Sequence, residues 1–170
     1  DGNNLVLYAN KNPATQLIVC SQTDYDFLSR QANKVILIPQ HHCNFEREKR
    51  RRKEVMVVGV IGNHKAFPFL PPDLKPKLKE RGIQLLTFSK FFTRKDVVDF
   101  YKKIDVQIVW RPWRKKLANP LKIVNAASYG IPTIALDEIY FREMGNCYIG
   151  VNNFDHLLIE LDRLAKNQSY

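Results

Sequence analysis

The sequence is sparing with cysteine, glycine and methionine, and it holds no long apolar run. Each shortage closes off a class of protein. Cys20, Cys43 and Cys147 make an odd count without regular spacing, so there is no disulfide framework, and the thiols point to a reducing compartment. Cys20 and Cys147 lie in strand-like runs and read as buried packing residues. His41, His42 and Cys43 group three metal-ligand types, but adjacent residues point different ways and no CxxC or HxxxH partner exists, so no metal is expected. No stretch approaches the roughly 18 apolar residues of a membrane span, and no signal peptide is visible. The dinucleotide fingerprint GxGxxG is absent too, which leaves Gly59 and Gly62 alone. Because it begins with Asp1 rather than Met, the chain is read as an excised fragment or a processed form.

What is present describes a folded, strongly basic chain. Its 170 residues suffice for one well-packed domain, and 45% hydrophobic with 11% aromatic residues argues against disorder. A net charge of +10 calls for an anionic partner: nucleic acid, an anionic lipid surface or a sugar nucleotide. The sharpest change in composition is Glu46 to Glu54, where six of the seven residues from Arg47 to Lys53 are basic. It reads first as a solvated linker, second as a patch for an anionic membrane leaflet, and third as a nuclear-import or nucleic-acid patch.

Taken in order, the chain alternates strand and helix signals. Asp1 to Pro13 reads as a weak strand or helix remnant. Gln16 to Ser21 is a compact apolar run, Thr23 is placed as the cap of a helix through about Gln31, and Lys34 to Pro39 is a second buried strand. Glu54 to Gly62 reads as a strand ending in a glycine turn, where a backbone can approach phosphate closely. Phe67 to Pro72 is an apolar loop, Asp73 caps a basic helix ended by Gly82, and Ile83 to Phe88 is a strand. Thr93 to Ile104 is helical, Asp105 to Trp110 is a strand, and Arg111 to Lys116 forms a basic loop beyond its carboxyl end. Trp110 and Trp113 are candidates to stack on a base, although packing is the commoner fate of a tryptophan. Asn146 to Val151 is a last short strand, and Asn153 caps the final helix. This order predicts an α/β, Rossmann-like doubly wound parallel sheet with helices on both faces.

The chain is organised around Asn119 to Glu143. Asn119 is placed as the N-cap, Pro120 at the first helical position, and Ile123, Val124 and Ala127 on one helical face. Gly130 ends the helix near Tyr129. Thr133 to Leu136 is a short strand, and the acidic pair Asp137 and Glu138 opens another helix ending near Met144. A capped helix N-terminus surrounded by Arg111, Arg114, Lys115, Lys116 and Lys122 is suited to receive an anion.

The same stretch fits K-[LIV]-x-[EN]-A-x-x-x-G-[IV]-P-x-[IV] followed by a later Glu, through Lys122, Ile123, Asn125, Ala126, Gly130, Ile131, Pro132, Ile134 and Glu143. In this it resembles the nucleotide-binding half of GT-B glycosyltransferases, especially retaining enzymes of the family 4 type. The resemblance implies a metal-independent transferase for a nucleotide sugar such as a UDP- or GDP-sugar, with no cofactor, working in cytoplasmic carbohydrate biosynthesis; peripheral contact with an anionic membrane is the second reading of the basic segment Glu46 to Glu54. It implies that Lys65, Arg111 and Lys122 hold the donor diphosphate, and that Gly62, Asn119, Asn125 and Glu143 meet the nucleotide or sugar. Residues 1–45 would be the tail of an N-terminal Rossmann-like domain or an extra β-α-β unit, 46–54 a basic linker, and 55–170 the nucleotide-sugar-binding domain; the acceptor site would lie in the missing N-terminal domain.

The chain also departs from that pattern. The Arg usual after the first glycine is Val60, and the E-x7-E pair falls on Leu117 and Asn125. No catalytic residue is assigned, and this piece alone is expected to bind donor without effective turnover. The rival readings are a glycosyltransferase-like binding domain without catalysis, and a module for anionic membrane or nucleic acid.

Overall fold

The β-branched runs of the sequence become strands, and every strand pairs in parallel. A computed structural model describes residues 2–111 and 119–167. The chain starts with helix α1 (Gly2–Lys11), where the sequence suggested a weak strand or helix remnant. Strand β1 (Leu17–Val19), helix α2 (Gln22–Leu28) and strand β2 (Val35–Leu37) follow, and β1 pairs with β2 from Leu17 against Val35. Ser21 rather than Thr23 caps α2. Ser21 has extended backbone at the end of the strand, and its hydroxyl accepts the Asp24 N–H at 3.1 Å, whereas Thr23 is already inside the first turn. Val6, Val19, Leu28 and Ala32 form a small core of their own.

A second sheet contains β3 (Val57–Ile61), β4 (Gln84–Phe88), β5 (Val106–Val109), β6 (Thr133–Leu136) and β7 (Ile149–Val151), in the order β4-β3-β5-β6-β7. The chain is therefore α/β with a five-stranded parallel sheet flanked by helices, compatible with a Rossmann-like fold. Helices α3 (Leu74–Glu80) and α6 (Phe154–Lys166) pack Leu74, Leu78, Leu157 and Leu161 on Val58, Val60 and Ile108. Helices α4 (Arg94–Tyr101) and α5 (Leu121–Ser128) place Val98, Tyr101 and Ala126 in a separate cluster with Ile61. Alternate residues of β3 thus serve different clusters, as a strand's period of two requires. Gly59 permits this approach, since a Cβ there would meet Ile104 and Phe100 side-chain atoms at 2.5 to 2.8 Å.

Several local signals act where the sequence puts them. Thr93 and Asp96 form a reciprocal capping box on α4, and Asn153 caps α6 through the His156 N–H. Gly130 and Gly82 take positive φ after their helices. Two expectations need correction. A 3-10 helix, His64–Phe69, takes in the first half of the presumed loop Phe67 to Pro72, and the presumed helix from Asp137 is a 3-10 segment, Ile139–Cys147, broken at Gly145 with φ 51. The acids meant to open that helix are engaged sideways instead. Glu138 receives Arg111, while Asp137 accepts the Tyr148 hydroxyl at 3.1 Å and is paired with Arg142. Burial, with that bond to Asp137, pushes the Tyr148 hydroxyl up to about 12.

The basic segment between the two sheets is bound to the fold rather than simply solvated. Asp105, wholly buried just before β5, accepts Arg52 Nε at 2.9 Å and the N–H groups of Met56 and Val57 at 2.9 and 2.8 Å; Arg50 Nε lies 3.5 Å away. Arg50 also donates its backbone N–H to the Tyr129 carbonyl. Upstream, Asn44 donates its amide to the carbonyls of Glu48 and Ser128. Glu46 meets Arg94 on α4. Among the described residues no helix is long and apolar enough to cross a membrane.

Two outcomes follow. Asp105→Ala takes the ion-pair partner from partly buried Arg50 and the acceptor from two backbone donors, so urea denaturation should show a loss of about 3–5 kcal/mol, and Asp105→Asn should lose less. The Arg94 hydrogen bond draws Glu46 down from 4.5 to about 2. This stabilisation is present above the unfolded value and lost as pH falls through the folded one, and it is small because the pair is exposed. Carboxyl NMR titration should place Glu46 near 2, and Arg94→Met should return it towards 4.5.

Candidate functional site

The order of the sheet reverses at β3, with β4 on one side and β5, β6 and β7 on the other. In open parallel sheets ligands bind at such a point, beyond the carboxyl ends of the strands. Here β3 pairs with β4 through all five of its residues, but with β5 through Val58 and Gly59. Beyond Gly59 the pairing with β5 stops, and a cleft of about 680 Å³ opens between the ends of the two strands.

Gly62 forms the floor of the turn after β3, its N–H bound to the Phe88 carbonyl at 3.0 Å. Asn63 then caps the 3-10 helix by accepting the Lys65 N–H at 3.0 Å, which sets exposed Lys65 on the cleft wall. From the opposite side comes Lys122, in the first turn of α5. Its Nζ lies 3.0 Å from the position a Cβ on residue 62 would occupy, so glycine provides the space for the ammonium group. Asn119 accepts the Leu121 N–H at 3.2 Å just ahead of α5, but the carbonyl that takes the first helical N–H groups is that of Pro120, so Pro120 is the N-cap and Asn119, expected there, precedes it. The buried side of α5 carries Ile123, Asn125 and Ala126, while Ala127, expected on that side, is exposed.

Lys122 is held by its backbone as well. Gln107, fully buried in β5, donates to the Lys122 carbonyl at 2.9 Å and to the Thr133 hydroxyl at 3.1 Å, and accepts from the Tyr101 hydroxyl at 2.8 Å. A buried glutamine in a parallel strand thereby anchors the first turn of α5 to the sheet. Burial pushes the Tyr101 hydroxyl far above its ordinary value, so it stays protonated and available as that donor.

Gly62, Lys65, Arg111 and Lys122 all line the cleft. Three candidates, however, are committed elsewhere. Arg111 makes a two-bond ion pair with Glu138 at 2.9 and 2.8 Å and lies over the Phe141 ring, so its charge is already balanced. Asn125 is buried and accepts the Cys43 N–H at 2.9 Å, a tie to the segment before the linker rather than an acceptor for ribose. Glu143 accepts the Gln22 N–H at 2.7 Å, at the start of α2. None of these pairings spans fewer than 27 residues, so no local pattern announces them. Trp113, Arg114, Lys115, Lys116 and Leu117 lie outside the described residues.

On the apolar side of the cleft Trp110 was expected as a stacking candidate, and the phenylalanines beside it were not. Phe67, Phe69, Phe91 and Trp110 line that side, with Trp110 also packed on the core. Its signal in the sequence was the paired phenylalanines after β4, Phe91 and Phe92, which have no place in a helical or strand period. Cationic groups facing aromatic walls suit an anionic ligand with a flat apolar part. Among the described residues no group of three or more acidic, histidine or cysteine side chains is arranged to hold a metal ion. No protein-family model matches the chain, and no curated protein matches it.

The role of Asn125 is open to test. Asn125→Ala leaves the Cys43 N–H without its acceptor and should cost about 1–3 kcal/mol of stability in urea titration, with ligand affinity of the cleft unchanged.

Proposed function

We propose that this chain is the donor-binding part of a GT-B type glycosyltransferase: a doubly wound Rossmann-like half that holds a nucleotide sugar by its diphosphate. The observation that carries this reading is the meeting of Gly62, Lys65 and Lys122 in one cleft where the strand order reverses. In this reading Gly62 lets the diphosphate approach the backbone, Lys65 and Lys122 take its charge, and the aromatic wall receives the base of a UDP- or GDP-sugar. During transfer the bond between the anomeric carbon and the diphosphate oxygen breaks, and its electron pair leaves with the diphosphate. An acceptor hydroxyl oxygen forms the new bond, and its proton passes to the departing diphosphate. Fixed ammonium groups stabilise the departing charge in a role a metal ion fills elsewhere. Residues 55–170 form the donor domain, 46–54 the connection and 1–45 the end of an N-terminal domain that carries the acceptor site. The unpaired thiols suit a cytoplasmic setting.

A second reading, a binding domain of the same type without transfer, is favoured by one specific contact: Asn125, at the position of a family carboxylate, is spent on the Cys43 N–H. Calorimetric titration with UDP, GDP and their sugar conjugates tests the binding shared by both. Saturable binding of one nucleotide is expected, weakened tenfold or more by Lys122→Ala, as loss of a charge-assisted hydrogen bond implies. No binding at millimolar nucleotide contradicts both readings. Transfer of labelled sugar to acceptor extract then separates the transferase from the binding domain.

A further inference from the structure

We propose that the amino edge of the five-stranded sheet is a docking surface for an anionic lipid leaflet. The surface begins with an alternation in the basic segment. Arg50, partly buried, and Arg52, itself still exposed, both reach buried Asp105, and Lys49, Arg51 and Lys53 between and beside them are exposed. Among the described residues these three take part in no ion pair. The two arginines on Asp105 therefore fix the segment to the sheet, and the outward cations are displayed from an anchored backbone instead of a free linker.

Beside them lies a hollow of about 350 Å³, lined by Lys49, Arg50, Arg51, Arg52 and Lys102, five cations against the two carboxylates Glu48 and Asp105. Both carboxylates are already paired, Glu48 with Lys102 at 2.8 Å and Asp105 with the two arginines. The net field at this edge is positive, and the hollow is roomy enough for a phosphate headgroup. Met56, about half exposed where β3 begins, adds an apolar contact at the same edge.

The chemistry favours lipid over nucleic acid. Single strands are held by aromatic platforms on which bases stack. The tyrosines that line this hollow, Tyr101 and Tyr129, are buried and stacked on one another at 5.0 Å. A cluster of lysine and arginine beside an apolar side chain matches an anionic leaflet, which attracts such groups additively.

The location suits this role as well. All strands are parallel, so the amino edge is opposite the cleft, separated by the five residues of β3, roughly 16 Å at about 3.3 Å each. That exceeds the Debye length of about 8 Å at physiological salt, so the two basic sites act independently. A leaflet at one edge leaves the cleft open to solvent.

The test is sedimentation of the full chain with vesicles of phosphatidylcholine alone and with about 30% phosphatidylserine, at about 0.1 M salt, beside a duplex oligonucleotide. Binding to the anionic vesicles alone is expected. The triple substitution Lys49→Ser, Arg51→Ser, Lys53→Ser should weaken it on the order of a hundredfold, with an unchanged circular dichroism spectrum. Arg51→Lys should retain it, because charge rather than shape is read, and Lys122→Ala should leave it unaltered. Absence of binding to anionic vesicles overturns the proposal, as does full binding by the triple variant. Tighter binding of the oligonucleotide through the same three residues overturns it in favour of nucleic acid. None of these results depends on nucleotide binding in the cleft.

Discussion

The fold depends on one buried carboxylate. Asp105 has no exposed side-chain surface, and it joins three parts of the chain at once: its own strand, the start of β3 through the N–H groups of Met56 and Val57, and the basic segment through Arg52 and Arg50. Its backbone N–H is bound to the Val57 carbonyl at 2.8 Å, so side chain and backbone together lock β3 and β5 at their amino ends. Desolvating a carboxylate is costly unless its acceptor positions are filled, and here the Arg52 guanidinium and two peptide donors fill them, with the Arg50 charge 3.5 Å away. The composition of the linker follows from this. Two of its arginines complete a buried site, which a flexible acidic or neutral linker would leave unbalanced.

Locking the amino ends leaves the carboxyl ends to diverge. Pairing between β3 and β5 ceases after Gly59, and the cleft occupies the space beyond it. Each glycine along β3 then has a separate structural consequence. Gly59 admits Ile104 and Phe100, which seats α4 and the loop into β5, whereas Gly62 admits the Lys122 ammonium group. Gln107 joins these features, since it sits in β5 between the locked and the open end and binds the Lys122 carbonyl. The cation in the cleft is thus placed by a chain of contacts that begins in the core. The sheet ends up with positive charge at both edges and a neutral, apolar interior between them.

Local signals in the sequence were legible because they act within a turn. Thr93, Asn153 and Gly130 start or stop helices with side chains or backbone torsions that neighbouring residues decide. The parallel strands were legible for a similar reason, as compact β-branched runs separated by helical spacing. Pairings between distant residues were not legible. Arg111 looked like a phosphate ligand because it follows a strand, but Glu138 neutralises it. Glu143, read as a ligand for the sugar, accepts the N–H of Gln22, the first residue of α2, 121 residues away in sequence. Asp137 and Glu138 have the composition of a helix start, yet side-chain partners divert both, and the segment forms a 3-10 turn. In each case a charged side chain had one role by position and another by tertiary contact, and for Arg111 that contact is a part-buried, two-bond pair with Glu138.

The central claim is that the carboxyl-edge cleft is the nucleotide site. The most direct measurement is amide NMR on the labelled chain during titration with UDP and GDP. Saturable shifts at Gly62, Asn63, Lys65 and Lys122, with Lys49 to Lys53 unmoved, are the result this account expects. Shifts confined to the amino edge, or none at millimolar nucleotide, would contradict it.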